Sequence, residues 1–274
     1  MLFLCSANLI QLKKIKVGAV TYLNTKPLIY GMQQESFLKD HELVLDYPSK
    51  LAKMLKKGEL DVALVPVALL PELPEYHIVS DYCIASDHEV ASVCLFSEKP
   101  LYEIKRVYLD YQSKTSAALL KILFKEHWKQ EVEWLPASDE TYIDKIEGDT
   151  AGLIIGDRAL QFRDRFAYRY DLAAAWREMT GLPFVFAVWV SVREMDLVWK
   201  DQFNGSQQTG LQQIDLLIRA ESDAHILYDL HRYFQSNLSY ALDDLKQNAI
   251  QLFITKITDA SLLNSYSSGI VNSV

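Results

Sequence analysis

The chain has 274 residues, half of them hydrophobic and 23% charged, an ordinary globular composition that excludes intrinsic disorder and fibrous structure. Domains usually run to about 100–200 residues, so this length predicts two lobes. Acidic residues outnumber basic ones 36 to 28, a net charge of −8, and no nucleic-acid partner is expected because such binders carry a basic face.

Cys5, Cys83 and Cys94 show no CxxC spacing. A chain this large needs no disulfide staples, and a reducing compartment fits best. Residues 1–12 are apolar, but Lys13 and Lys14 follow the apolar stretch instead of preceding it, so the start reads as an extension and not as a secretory signal. No charge-free run reaches the roughly 18–20 apolar residues of a membrane span. The expectation is a soluble, cytoplasmic protein with no membrane partner.

Residues 16–20 read as a strand, and Pro27 opens a helix over 27–32, proline being welcome in a first helical turn. Residues 43–47 form a second strand. Ser49 then caps a helix over 50–57, with Leu51, Met54 and Leu55 on one face and Gly58 closing it. Residues 62–65 are a buried strand stopped by Pro66. Strand-like pieces at 77–80, 82–85 and 90–96 follow with no helix between them, a change of rhythm that marks a crossover. A second series runs through strand 107–109, helix 115–127, strand 132–135, helix 141–147, strand 153–155 and helices 159–162 and 172–179. Gly181 and Pro183 end it before the strongest β run of the chain, 184–192, which reads as the return crossover. Everything after Arg193 reads as helical, with helices near 214–219, 224–235 (Ser222 as cap) and 245–257 (Asp243 as cap). The pattern predicts an α/β chain with mainly parallel sheet, residues 1–97 plus 192–274 forming one lobe and 98–191 an inserted second lobe.

Open α/β sheets bind ligands outside the carboxyl ends of their strands and at helix N-termini, and three segments place polar groups there. In residues 21–27, Asn24 offers donors and an acceptor one turn before free helix amides; a plain helix cap is the even alternative. In residues 110–116, Ser113, Thr115, Ser116 and Lys114 make a carboxylate clamp, against the more common reading of a serine or threonine cap. In residues 152–159, Gly156 lets backbone approach a ligand, while Asp157 is more simply a cap favoured by the helix dipole. The aromatic stretch 184–189 is either core or the wall of a pocket for a ring-shaped ligand. His88 and Glu89 read as surface polarity. The six histidines include no HExxH and no i, i+4 pair, and GxSxG, GxxxxGK[ST] and GxGxxG are absent from the sequence. Metal, hydrolase, NTPase and dinucleotide chemistry are therefore not expected.

Taken together, TYLNTKPL at 21–28, VASVCLFS at 90–97, SKTSAALLKILF at 113–124, IIGDRAL at 154–160 and DLAAAWREMTGLPFVFAVWV at 171–190 resemble the chorismate dehydratase family of the futalosine route to menaquinone, over about residues 15–260. The resemblance implies a two-lobed α/β fold of the type II periplasmic-binding-protein kind, with the ligand cleft between lobes; strands 90–96 and 184–191 are then expected to be hinges on which the lobes close. It implies loss of water from chorismate, a 1,2-elimination that needs neither metal nor cofactor. Asn24 and Ser92 match family positions at the cleft and are the candidate catalytic residues. Candidate substrate contacts are Tyr22, Ser49, Pro66, Ser113, Thr115, Ser116, Gly156, Asp157 and Phe184. Departures are small: His88 stands where glycine is expected, and residues 204–210 are unusually polar for a helix. The same two lobes also serve non-catalytic receptors for small anions and the later dihydroxynaphthoate-forming enzyme of that route, which are the alternatives.

Overall fold

A computed structural model describes residues 14–221 and 228–259. β1 (Ile15–Ala19) leads through a 3-10 turn, Leu23–Thr25, into α1 (Lys26–Tyr30) and a second such turn, Gly31–Gln33. Then come α2 (Glu35–Leu38), β2 (His41–Leu45), α3 (Pro48–Lys56), β3 (Val62–Pro66), a 3-10 turn over Val67–Glu72, β4 (His77–Ser86) and β5 (Val93–Ser97). The next series is β6 (Arg106–Leu109), α4 (Lys114–Ile122) with a π-helical turn Leu123–His127, β7 (Glu133–Pro136), a 3-10 turn Glu140–Lys145, and β8 (Thr150–Ile155). It continues with α5 (Asp157–Gln161), β9 (Tyr168–Asp171), α6 (Leu172–Thr180) and β10 (Phe184–Ser191). α7 (Leu197–Leu211), α8 (Ile214–Glu221), α9 (Leu230–Arg232), a π-helical turn Tyr233–Asn237, β11 (Ser239–Ala241) and α10 (Asp244–Thr258) complete the chain.

The strands form two sheets, ordered β11-β4-β10-β3-β1-β2 and β7-β6-β8-β5-β9. Both are mixed rather than mainly parallel. β1 pairs parallel with β2 and β3, and β6 with β7 and β8. β10 runs antiparallel between β3 and β4, and β5 antiparallel between β8 and β9. These two antiparallel strands are the ones that follow each crossing between sheets, and they shift the expected lobe boundaries. β5 bonds in the second sheet, not in the first lobe expected for 90–97, and β10 in the first sheet, not in the second lobe expected for 184–191. The chain crosses at residues 87–92 and 181–183 instead.

Local differences have local causes. Pro48 takes the first turn of α3, so its N-cap is Tyr47 and Ser49 caps nothing. The pieces at 77–80 and 82–85 are one strand, β4. β9 escaped the sequence reading because Tyr168 and Arg169 are exposed at a sheet edge and carry no apolar alternation. β11 breaks the expected all-helical end. The α-helix expected over 141–147 is instead a 3-10 turn, Glu140–Lys145. The helix expected over 224–235 lies in part, with Ser222, outside the described residues. Its described end is the short α9, capped by Asp229, and a π-helical turn. Asp243 caps α10 as expected, accepting from Lys246 N at 2.9 Å.

The polarity of 204–210 follows from what α7 crosses. Gln207 is fully buried and its Nε2 donates to Ser80 Oγ at 2.7 Å, while Asn204 Oδ1 accepts from Ser80 Oγ at 2.8 Å and from Asp81 N at 3.1 Å. Glycines let α7 lie directly on the first helical segment: a Cβ at Gly210 would stand 1.9 Å from the Pro27 carbonyl oxygen, and one at Gly31 1.9 Å from that of Ser206. Gly210→Ala is expected to force these backbones apart and destabilise the fold by about 1–3 kcal/mol in urea unfolding.

One hydrophobic cluster runs through both lobes. Behind the cleft, Trp176 of α6, Phe184 of β10 and Phe253 of α10 meet edge-on with centroids 5.3, 6.0 and 5.1 Å apart. A smaller cluster around Phe96, Tyr142 and Phe166 fills the far side of the second sheet.

Candidate active site

Between the lobes lies a cavity whose empty volume, open mouth and solvent included, is about 640 Å³. Val20, Leu64, Ile84, Val93, Ile155 and Phe186 give it apolar walls; Tyr22, Asn24, Ser92, Gln112, Ser113 and Ser116 bring polar groups. Every polar side chain on this lining is neutral. The Tyr22 phenol is pushed up to about 12 by burial and by the nearby Asp110 carboxylate, so it keeps its proton.

Asn24 reaches the cavity because it does not cap α1. Thr25 holds the N-cap position, and Asn24 sits inside the preceding 3-10 turn. Its Oδ1 accepts from Thr25 Oγ1 at 3.2 Å and its carbonyl from Tyr240 Oη at 3.0 Å.

Ser92 ends the first crossing segment and is 1% exposed. Asp171 fixes that segment while capping α6. It accepts from Val90 N at 3.2 Å, Ala91 N at 2.7 Å, Ala173 N at 3.0 Å and Ala174 N at 3.1 Å. Burial raises the Asp171 carboxyl to about 6, against the pull of these N–H donors. Ala91 is held at φ +64°, a left-handed conformation costing on the order of 1–3 kcal/mol for a residue with a side chain. The neighbouring Glu89 is an anchor, not surface polarity: it pairs with Arg163 and, at 3.1 Å, with Arg232. Ser92 O accepts from Gly156 N at 2.7 Å.

Ser113 both caps and lines. Its Oγ accepts from Ser116 N at 3.1 Å at the start of α4 and donates to Ser116 Oγ at 2.9 Å. Gly156, at φ +64° and ψ −149°, is the N-cap of α5, a backbone shape that L residues avoid, and it forms part of the floor. Asp157 therefore does not cap. Its Oδ1 accepts from Leu23 N at 3.3 Å across the lobes, outside the cavity lining, with its carboxyl raised by burial. Thr115 also faces the other lobe, accepting from Ala68 N at 3.2 Å, and does not line the cavity.

Pro66 lines the cavity; Ser49 and Phe184 do not. Ser49 is exposed in a second, outer cavity of about 860 Å³ that shares Pro48, Pro66 and Gln112 with the inner one. Phe184 is buried among Trp176 and Phe253, and Phe186, edge-on to it at 4.7 Å, takes the wall. A register shift between Val185 and Ala187 lets both Phe186 and Ala187 reach the cavity, which strict alternation forbids. Gln112, which accepts from Tyr22 Oη at 3.2 Å, was also missed although it lies inside the 110–116 segment.

The outer cavity carries Lys53, Lys56 and Lys114 against a single acid, Glu72. Glu72 bonds Lys56 at 2.8 Å within its own lobe and Lys114 at 3.3 Å across the cleft, and these cations hold its carboxyl below the usual range against burial. Among the described residues, no helix is long and apolar enough to cross a membrane, and no cluster of three or more His, Cys, Asp or Glu is placed to hold a metal ion.

A family model described as menaquinone biosynthesis matches residues 15–259. The chain belongs to the menaquinone biosynthesis family. Curated relatives of this family member include a chorismate dehydratase of Thermus thermophilus, 31% identical over 204 residues, with 65% of this chain and 70% of the relative covered. A chorismate dehydratase of Campylobacter jejuni is 29% identical over 185 residues, covering 66% and 69%. Among solved structures, a protein of Archaeoglobus fulgidus superposes with TM-score 0.70 at 16% identity, covering 91% of this chain and 98% of its own. A Candida albicans protein described as having the generic periplasmic binding protein fold gives 0.56 at 12%, covering 96% and 92%. The alkanesulfonate-binding protein SsuA of Xanthomonas axonopodis gives 0.57 at 13%, covering 93% of each chain. The fold of this family member is thus periplasmic-binding-protein-like, as the motifs implied.

Proposed function

We propose that this chain is a hydro-lyase acting in the cytoplasm, removing water from chorismate to give 3-[(1-carboxyvinyl)oxy]benzoate for menaquinone synthesis. The observation that carries the chemistry is that Asn24 of the first lobe and Ser92, at the entry to the second, line one cavity whose polar side chains are neutral. Family membership and the dehydratase relatives supply the reaction.

In the elimination, the ring carbon bearing the enolpyruvyl ether loses a proton, its C–H pair becomes ring π bond, and the adjacent C–O bond breaks. Hydroxide and proton leave as water and the ring becomes aromatic. With no carboxylate among the described residues of the lining, one of the substrate's own carboxylates takes the ring proton. Asn24 and Ser92 hold the geometry and bond the departing oxygen, a matter of orientation and preorganised donors. Ser113, Ser116 and the N-terminus of α4 grip a carboxylate, and the lysine-lined outer cavity draws a dianion toward a protein of net charge −8.

The test is to mix purified protein with chorismate and follow products by mass spectrometry. An aromatic product one water lighter is expected. Bound chorismate recovered unchanged would make the chain a receptor instead, and turnover of only a later pathway intermediate would point to the dihydroxynaphthoate-forming step.

A further inference from the structure

Gln112 lines both cavities, and its amide reaches from the wall of one to the wall of the other. Oε1 accepts from Tyr22 Oη at 3.2 Å, and Tyr22 lines the inner cavity. Nε2 donates to Tyr111 Oη at 3.0 Å, and Tyr111 lines the outer one. Because Tyr22 follows β1 of the first lobe and Gln112 follows β6 of the second, the same amide ties the lobes together where the cavities meet.

The surroundings of that amide are rigid. Pro48 and Pro66, which also line both cavities, stand on the first lobe, and a proline ring has little freedom to turn. The Gln112 backbone is fixed as well: its N–H donates at 2.8 Å to Asp110 Oδ1. The other oxygen of this buried carboxylate takes Tyr142 Oη at 2.8 Å and Arg158 Nη2 at 2.7 Å. Of the three residues shared by the two cavities, Gln112 is therefore the one whose side chain can swing. It is half-buried, and an amide that turns toward the open outer cavity exchanges neutral hydrogen bonds for water at small net cost.

We propose that Gln112 is the gate of the reaction cavity: its amide swings aside to admit a diacid from the outer cavity, then returns to Tyr22 and shuts the passage behind it. This rests on the dehydratase reading above, which supplies the diacid. Lys53, Lys56 and Lys114 gather the dianion in the outer cavity, and the neutral amide next in its path offers no charge to repel it. Once the Tyr22 bond reforms, bulk water is kept from the reacting ring. The bond is present in the empty and in the occupied protein, so it sets the height of the barrier between them and cancels from the affinity.

The test uses 3-(carboxymethoxy)benzoate, an aromatic diacid that has no water to lose, with binding rates read by surface plasmon resonance on the immobilised full chain. Gln112→Ala is expected to raise kon and koff together, each about 10-fold, with Kd within about threefold and Tm unmoved. A rise in koff alone marks an ordinary ligand contact and overturns the gate. So do unchanged rates, or a lowered Tm without faster entry. Tyr22→Phe keeps the ring and removes the donor to Gln112, so it too should raise kon, and adding it to Gln112→Ala should raise kon no further. An additive rise overturns the pairing. Wild-type protein that fails to bind the diacid overturns the dehydratase reading and the gate with it, whereas wild-type binding with unmoved Gln112→Ala rates overturns the gate alone.

Discussion

Replacing Asn24 or Ser92 with alanine is expected to lower turnover of chorismate at least about 100-fold while weakening substrate binding less than about threefold. The asymmetry follows from what these side chains can do. Each is neutral at any pH of interest, so neither serves as base. Each can strengthen a hydrogen bond only as charge builds on the departing oxygen, and that is transition-state binding. Most of the ground-state grip comes from elsewhere: apolar walls from both lobes, Ser113 and Ser116 at the start of α4, and the lysines of the outer cavity. Steady-state kinetics with a direct binding titration separates the two quantities. Small, equal changes in both would remove Asn24 and Ser92 from the chemistry.

Asp171→Ala is expected to be the most destabilising single change near the cavity, at about 3 kcal/mol or more, lowering Tm by roughly 6–12 °C. Four backbone N–H groups, from Val90, Ala91, Ala173 and Ala174, lose their acceptor together, and α6 loses its cap. The Ala91 backbone, already at φ +64°, loses what holds it there. Turnover should fall beyond what unfolding explains, because the same segment aims Ser92. Asp171→Asn keeps the shape and one acceptor and should fall between. The carboxyl also has a pH signature. Its folded pKa of about 6 lies above the ordinary 3.8, so the folded state takes up this proton first as pH falls. Its contribution to stability is complete below about 4 and is lost as pH rises through about 6. The Tm gap between wild type and Asp171→Asn should therefore widen from pH 7 to pH 5. A gap that narrows would mean the N–H donors outweigh burial and the carboxylate is ionised throughout.

Much of the site was legible because strand-to-helix junctions are local. Asn24, Ser113, Ser116 and Gly156 stand where a strand has ended and helix amides begin, and such positions show in a few consecutive residues. Where the sequence reading failed, the deciding interaction was distant. Thr115 and Asp157 looked like their neighbours Ser113 and Gly156 but bond the opposite lobe, through Ala68 N and Leu23 N. Phe184 and Phe186 are indistinguishable in a run of apolar residues, and packing against Trp176 and Phe253 chose between them. Ser49 lost its capping role to Pro48 beside it.

The amino-acid order alone determined the α/β class, the existence of two lobes, the succession of most strands and helices, and the motifs that carry the family, because periodicity, capping and turn chemistry act over a handful of neighbours. Tertiary structure decided which strands share a sheet, where the chain crosses between lobes and which polar side chains face the cavity. Those outcomes are set by pairing and burial between residues brought together only on folding, and no local pattern encodes them.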